Sequence, residues 1–285
     1  MSAEGTAFAD RYGPWAIIAG ASDGVGSAFA HAMAERGLNV VLLARRQALL
    51  DEVAEAIRHK TGVETRTAAV DLSLPDAMAK IASATDGLDV GMVIYCAGAD
   101  PLYEPFLDHP VDIPVAMIQR NCVVPMRMFH HFAQPMVERG RGGLMLLSSG
   151  AGLRGGANMV GYAATKAFDI VMAESLWAEL ESRGVDVLSL VLGGTDTPSL
   201  RRVLARHGQI AGEDDPVPIP GIATPEQVVQ EGLANLTNGP TWLVSEEQRE
   251  HARQLGTMTR SEAVRAMQER AAALMATAHN PEASS

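Results

Sequence analysis

Hydrophobic positions in this chain gather into short continuous runs, separated by longer stretches in which they recur every three to four residues. The first run is Trp15-Ala16-Ile17-Ile18-Ala19, and the second is Val40-Val41-Leu42-Leu43 within Asn39 to Ala44. Further runs lie at Thr65 to Val70, Gly91 to Cys96, Gly143 to Ser148, Val185 to Val191 and Thr241 to Val244. A run of this length bounded by turn formers reads as a strand buried on both faces. Helical spacing fills the intervals. From Gln47 to Lys60, Leu49, Leu50, Val53, Ala54 and Ile57 line one face. Ser27 to Ala34, Pro125 to Arg139 and Tyr162 to Arg183 read as helices too, and a helical region leads up to Asn121. Ser73 is placed to cap a helix beginning at Pro75, and Thr224-Pro225-Glu226-Gln227 is a capping box with proline at the first helical position. Alternating buried strands and helices predict an α/β fold: a doubly wound parallel sheet of about seven strands, helices on both faces.

No repeat, low-complexity segment or domain boundary interrupts this pattern. The loop Glu213 to Pro220 is the one obvious irregular insertion. The expectation is a single domain, residues 1–285, with its core over about 15–244 and a helical extension over 245–285. In that extension Ser245 to Gln248 and Thr259 to Glu262 have capping-box spacing and predict two helices. Val264, Met267, Ala271 and Leu274 give the second an apolar stripe, with Arg265, Gln268, Glu269 and Arg270 on its other faces. That stripe packs on its own subunit, across a subunit interface or over a substrate cleft; the pattern leaves these open.

Composition narrows the partners. A net charge of −11 argues against nucleic acid and anionic membranes. No apolar run approaches the ~20 residues of a membrane span. Met1 to Tyr12 lacks the basic and apolar regions of a signal peptide. Cys96 and Cys122 lie in apolar surroundings and read as buried free thiols of a reducing compartment. The expected location is cytoplasmic.

Two stretches carry chemistry. The first strand runs into Gly20-Ala21-Ser22-Asp23-Gly24-Val25-Gly26 and then a helix, the context of a dinucleotide-binding turn. Glycines let the backbone approach a pyrophosphate, and the helix N-terminus offers free N–H groups to it. Farther on, Tyr162 and Lys166 are four residues apart on a helix and so share a face, with Ser149 thirteen residues before the tyrosine. A phenol is a poor proton donor or acceptor at neutral pH, and a nearby ammonium favours its phenolate. The pair suits proton transfer in carbonyl/alcohol chemistry. No cluster of His, Cys and carboxylates has metal spacing, so no metal is expected.

Together these residues resemble the short-chain dehydrogenase/reductase superfamily, in its compact NAD(P)-dependent branch, over about Trp15 to Val244. Gly20, Gly24 and Gly26 match its cofactor glycines, with Ser22, Asp23 and Val25 inside the same turn. Asp71-Leu72 matches the acidic site that meets adenine. Cys96-Ala97-Gly98 matches the tail of the family's Asn-Asn-Ala-Gly, with Tyr95 and Cys96 in place of the asparagines. Asn121 matches the asparagine that holds a proton-relay water. Ser149, Tyr162 and Lys166 match the catalytic residues. Gly193 and Thr197, with Thr195 between them, match the turn beside the nicotinamide, where Leu192 replaces the family's proline. The resemblance implies a Rossmann-type fold and an oxidoreductase that interconverts a secondary alcohol and a ketone or aldehyde. Tyr162 would be the acid/base and Ser149 the hydrogen-bond donor to the substrate oxygen, with Ser148 its competitor for that role. Lys166 would lower the tyrosine pKa and bind the nicotinamide ribose, and Asn121 would link Lys166 to solvent. It also implies a homodimer or homotetramer. Asn158 and Asp169, close by in sequence, are assigned to structure.

Cofactor choice is read at the end of the second strand. An NAD-specific site would place a carboxylate there. Ala44-Arg45-Arg46 stands there instead, and a guanidinium suits a 2′-phosphate, so NADP(H) is favoured over NAD(H), with Arg45 as its ligand. The stretches around Asp23, Asn39 to Leu42 and Val63 to Asp71 also resemble the NADPH-using 3-ketoacyl-CoA and 17β-hydroxysteroid reductase subgroup. Pro198 to Ala223, carrying Leu200, Val203, Leu204 and Ile210, suggests an apolar substrate wall for a lipid, steroid or aromatic carbonyl compound. A nucleotide-binding redox sensor without turnover and an epimerase or dehydratase on the same fold are the alternatives.

Overall fold

The computed structural model describes residues 3–100, 102–219 and 221–277, with side chains over 5–100, 102–219 and 221–269. In chain order the elements are α1 (Ala3–Tyr12), β1 (Trp15–Ala19), α2 (Gly24–Glu35), β2 (Asn39–Ala44), α3 (Gln47–Thr61), β3 (Thr65–Ala69), α4 (Ala77–Ala84), β4 (Val90–Tyr95) and α5 (Asp112–Ile118). A π turn (Gln119–Val123) leads directly into α6 (Val124–Glu138), followed by β5 (Gly142–Ser149), α7 (Val160–Leu180), β6 (Val185–Leu192) and α8 (Pro198–Arg206). The chain closes with α9 (Pro225–Ala234), β7 (Thr241–Leu243), α10 (Glu246–Gly256) and α11 (Arg260–Thr277).

The seven strands form one parallel sheet in the order β3-β2-β1-β4-β5-β6-β7. This is the predicted doubly wound architecture. The strand order reverses between β1 and β4, and such a switch point opens a crevice at the carboxyl ends of the strands. All five residues of β1 are buried, because side chains alternate into two cores. Ala16, Ile18, Val40 and Leu42 meet Phe29 and Met33 of α2 on one face. Trp15, Ile17, Val41 and Leu43 belong to the cluster on the other face, which takes in Ile81, Phe129 and Met136. At the opposite rim, where strands begin, Tyr12 donates a 2.6 Å hydrogen bond to Asp186 and Arg11 pairs with the same carboxylate. A side chain at Gly91 would place its Cβ 2.3 Å from the Tyr12 carbonyl, so α1 sits directly on the start of β4.

Three expectations are corrected. Ser73 does not cap α4: its hydroxyl donates to Asp71 Oδ1 at 2.6 Å, and the helix begins at Ala77. α2 starts inside the glycine turn, at Gly24 rather than Ser27, so the turn itself is the helix N-terminus. The helical region leading to Asn121 does continue into α6, and it does so through the π turn. Cys96 and Cys122 are free but only half-buried.

Both helices of the extension are present. Thr259 and Glu262 complete their capping box in both directions, at 2.9 and 3.4 Å. The other box forms only in part, because Ser245 accepts from the Gln248 N–H while its own N–H is donated to Glu231. Leu255 and Ala263 are buried, and Met267 Sδ lies 3.4 Å from His251 Nε2 of α10, so the stripe of α11 rests in part on its own chain. Arg270, Ala271 and Leu274 of the predicted pattern lie outside the described side chains. No helix of the described residues is long and apolar enough to cross a membrane, and none of their His, Cys, Asp or Glu side chains cluster as metal ligands do.

Candidate active site

The glycine turn closes the carboxyl end of β1 because two positions there have no room for a side chain and a third has a left-handed backbone. Gly20 has φ +89°, and a Cβ on it would lie 2.9 Å from the Ala97 nitrogen. A Cβ on Gly26 would lie 2.0 Å from the Gly20 carbonyl oxygen, which fixes how closely α2 approaches the strand. Gly24, with φ +54°, faces Thr197. The turn therefore brings Gly20, Ala97 and Thr197 around the N-terminus of α2. That terminus has no side-chain cap of its own, and backbone N–H groups without partners there suit an anion. Val25 is buried beneath it.

Arginines surround the outer edge. Arg46 donates to Ser22 Oγ at 3.3 Å and pairs with Asp23, and Arg202 of α8 approaches Asp23 at 3.8 Å. Arg45 is exposed on the rim at the end of β2. Asp71 lies within electrostatic reach of Arg45 and Arg120. Burial opposes its charge, but hydrogen bonds from Ser73 and those cations leave its carboxyl below the usual range. Leu72 beside it is buried.

The second half of the site hangs from β4, β5 and α7. Lys166 Nζ donates to the Leu147 carbonyl at 2.8 Å and to Asp169 Oδ2 at 2.9 Å. Its ammonium stands 5.9 Å from the centre of the Tyr162 ring. Gly98, at φ +139°, leaves the space they need: a Cβ there would lie 2.9 Å from Lys166 Nζ and 3.1 Å from Asn121 Oδ1. Asn121 is buried and donates to Thr165 Oγ1 at 2.9 Å, and Arg120 Nε donates to its Oδ1 at 3.0 Å. Ser148 is committed elsewhere. It is buried, and its hydroxyl donates to the Lys166 carbonyl at 2.8 Å. Ser149, one residue on, points to the other side of the strand, is half-buried and accepts from the Ala151 N–H. The sequence-predicted Asn121, Gly98, Lys166 and Tyr162 thus converge, with Ser149 at the end of the adjoining strand. Gly193 and Thr195 follow β6 beside it, Thr195 donating to the Gly193 carbonyl at 3.3 Å. Asn158 adopts a left-handed conformation, φ +64°, ahead of α7.

The two departures from the family pattern have local explanations. Tyr95 is fully buried, and its hydroxyl donates to the Arg120 carbonyl in the π turn. Leu192 continues β6 to its last pairing, opposite Ser149.

Three participants escaped the sequence reading. Asp169 is completely buried against Lys166. Its spacing of three from Lys166, and its being an acid amid apolar neighbours, were the available signals. Arg46 engages the turn where Arg45 was expected to be the relevant cation. Gln248 reaches in from α10: a Cβ on Gly193 would lie 2.1 Å from its Nε2, and one on Gly150 would lie 3.5 Å from its Oε1. No local pattern could place Gln248 there. Burial resists the charge of Lys166, but Asp169 outweighs it and the lysine is held above its usual pKa. Burial pushes the Asp169 carboxyl up in turn.

A glycine-lined anion cradle joined to a tyrosine–lysine pair and a serine hydroxyl is the apparatus of a nicotinamide-dependent oxidoreductase. Residues 14–207 match the family described as short chain dehydrogenase. A 7beta-hydroxysteroid dehydrogenase of Mediterraneibacter gnavus is 35% identical over 227 residues, 80% of this chain and 84% of that protein. The very-long-chain 3-oxoacyl-CoA reductase of Macaca fascicularis is 37% identical over 63% of this chain and 58% of its own length. A solved structure, described as giving insights into 7beta-hydroxysteroid dehydrogenase stereoselectivity, superposes with a TM-score of 0.82 at 32% identity. It covers 91% of this chain and 98% of its own. The chain belongs to the short-chain dehydrogenase family. It is an NAD(P)-dependent oxidoreductase that interconverts alcohols and ketones.

Proposed function

We propose that this enzyme is an NADP(H)-dependent dehydrogenase of a bulky apolar secondary alcohol or ketone, a hydroxysteroid foremost. The placement of Tyr162, Lys166 and Ser149 at the end of β5 beside the glycine cradle carries the reading. Gly20, Gly24, Gly26 and Thr197 would hold a nicotinamide cofactor, which would supply or accept the hydride. Tyr162 donates the proton to the carbonyl oxygen in reduction and takes it back in oxidation. Lys166, kept charged, lowers the cost of the tyrosine anion. Ser149 donates a hydrogen bond where charge builds on that oxygen. Asn121 holds the path by which Lys166 exchanges protons with solvent.

Arg45 and Arg46 favour the 2′-phosphate of NADP(H) over the bare ribose. Both are exposed at the end of β2, whereas the neighbouring Arg120 is engaged with Asn121 Oδ1 and the Ala99 carbonyl. The substrate wall is α8 together with the loop before α5. His207 Nε2 lies 2.9 Å from the Leu102 carbonyl, Tyr103 meets the His207 ring edge-on, and Arg206 pairs with Glu104. A fused-ring substrate is preferred to an acyl-CoA because similarity to the hydroxysteroid dehydrogenases extends through this wall and covers most of those proteins, 84–95% of their length.

We further propose a homodimer or homotetramer built on the groove between α6 and α7. Met126, Phe129, Ala133, Val171 and Leu176 line it, with Met126 50% and Val171 60% exposed. Glu138, Glu179 and Arg183 border it, so a two-fold partner can set the arginine of one copy near the acids of the other.

The test is purified protein with NADPH or NADH and a panel of 3-, 7-, 12- and 17-ketosteroids, 3-ketoacyl-CoA thioesters and aromatic ketones, followed at the nicotinamide absorbance. Cofactor consumption with ketosteroids and NADPH is the expected result. Binding without consumption would favour the sensor reading instead.

A further inference from the structure

Lys166 stands where an unaccompanied cation would not remain charged. Its side chain is 5% exposed, and a lysine removed from water has its pKa driven down, toward neutrality or below. Asp169, one turn later on α7, is 0% exposed, and of its two oxygens only Oδ2 has a partner, Lys166 Nζ at 2.9 Å. Oδ1 is buried without a hydrogen bond among the described residues. A carboxylate buried with half its acceptors unmet is costly, and an apolar side chain of similar volume would fill the place at less cost. Among the described residues it caps no helix and accepts from no backbone N–H, so its hydrogen bonding reduces to the lysine.

We propose that Asp169 is a positioning residue for the reaction: it keeps the Lys166 ammonium charged and aimed, together with the Leu147 carbonyl, past Gly98 toward the Tyr162 ring. The inference rests on the reading of Tyr162 and Lys166 as the proton-transfer pair. Four groups besides Lys166 bear on the balance of charge; one is Cys96, just past β4, which reaches Lys166 and whose thiol burial holds well above its ordinary pKa. Tyr95 reaches Asp169 electrostatically from β4 and Cys122 from the π turn, while Arg120 of the same turn faces Lys166. Burial holds the Tyr95 hydroxyl well above its ordinary pKa and pushes the Cys122 thiol up to about 11, so neither is an anion at neutral pH. Asp169 is then the anion that neutralises Lys166 directly.

The sign of the effect separates this role from simple charge balance. Without Asp169 the lysine loses its proton near neutral pH, and the Tyr162 phenolate loses its cation. Its formation then moves to higher pH. If Lys166 stayed charged unaided, removing a nearby anion would move phenolate formation to lower pH.

The experiment is the pH dependence of kcat/KM for alcohol oxidation in Asp169→Asn, beside the wild type and Tyr162→Phe. The expected result is a kcat lower by about 10–100-fold, within the range of general acid–base contributions. KM for the alcohol should change by less than about twofold, because only the proton-transfer step is impaired. The rising limb should shift to higher pH by about one unit or more. A limb that stays put or moves to lower pH overturns the proposal. Tyr162→Phe distinguishes the levels: if it retains more than about a tenth of kcat, the acid–base reading itself fails. If it is inactive while Asp169→Asn behaves as wild type, only the role of Asp169 fails. Should Asp169→Asn not fold, thermal stability gives a second reading. Lys166→Met alone strands the carboxylate and should lower Tm, and adding Asp169→Leu should restore it. No restoration overturns the pairing.

Discussion

Replacing Tyr162 by phenylalanine removes one oxygen and leaves the packing of α7 intact. The expected outcome is a kcat reduced by ~10²–10⁴ with the NADP(H) dissociation constant nearly unchanged, measured by steady-state kinetics and fluorescence titration. Lys166→Ala should impair both. Arg45→Ala should weaken NADPH by about 10–100-fold, equivalent to the ~1.5–3 kcal/mol of a charge-assisted hydrogen bond, and leave NADH within about twofold. Equal loss for both cofactors would remove Arg45 from the 2′-phosphate site. At this scale the spacing of Ser149, Tyr162 and Lys166 was legible because one helix and one strand end fix their relation. The choice of Ser149 over Ser148 rests on its thirteen-residue spacing from Tyr162; what the apolar run ahead of them does not reveal is that the Ser148 hydroxyl is taken up by the Lys166 carbonyl. Asp169 is read from sequence as structural because burial and pairing belong to three dimensions; only the fold sets its carboxylate against Lys166.

Among elements, the attachment of α10 is the least local. Glu231 of α9 accepts from Trp242 Nε1 of β7, from Arg249 Nη1 of α10 and from the Ser245 N–H, each at 3.0 Å. Burial works against its charge, but these donors prevail and its pKa is lowered. A carboxyl lowered on folding stabilises the native state above its unfolded pKa, and that contribution fades as pH falls through the folded value. Glu231→Gln should therefore lower Tm at pH 7, and the gap to wild type should narrow below about pH 4.5, the ordinary value for glutamate. A gap independent of pH would show that the charge is not what holds α10. Thr224 and Thr259 announced their helices through capping residues, a signal carried within four positions. The start of α4 was misjudged because Asp71 competes for the Ser73 hydroxyl. The π turn was invisible because Gln119 to Val123 has no composition of its own; what marks it is the Tyr95 hydroxyl arriving from another strand.

At the level of the molecule, apolar runs separated by helical periods made the inner strands legible, since strands buried on both faces of a parallel sheet have few other spellings, whereas the edge strands β3 and β7 are only partly buried. Assembly was less so. The stripes of α6 and α7 that face outward resemble those that face the core until the sheet is in place. Val171→Glu, on the exposed side of α7, should shift the protein toward monomer in sedimentation or light scattering with Tm little changed. An unaltered mass would place the subunit contact elsewhere. Gln248→Ala tests the extension in the same molecule-wide sense. If α10 helps shape the substrate end of the site, KM for a ketosteroid should rise several-fold while the cofactor dissociation constant holds.

The clasp of Arg11 and Tyr12 on Asp186 has a practical corollary. Because every strand points the same way, α1 and this clasp lie at the rim opposite the glycine cradle and Tyr162. An affinity handle, a fluorophore or a surface tether joined ahead of α1 would leave the catalytic mouth turned outward. Immobilised by that end, the enzyme should show the KM it has in free solution, whereas attachment through α8 or the loop before α5 should obstruct entry.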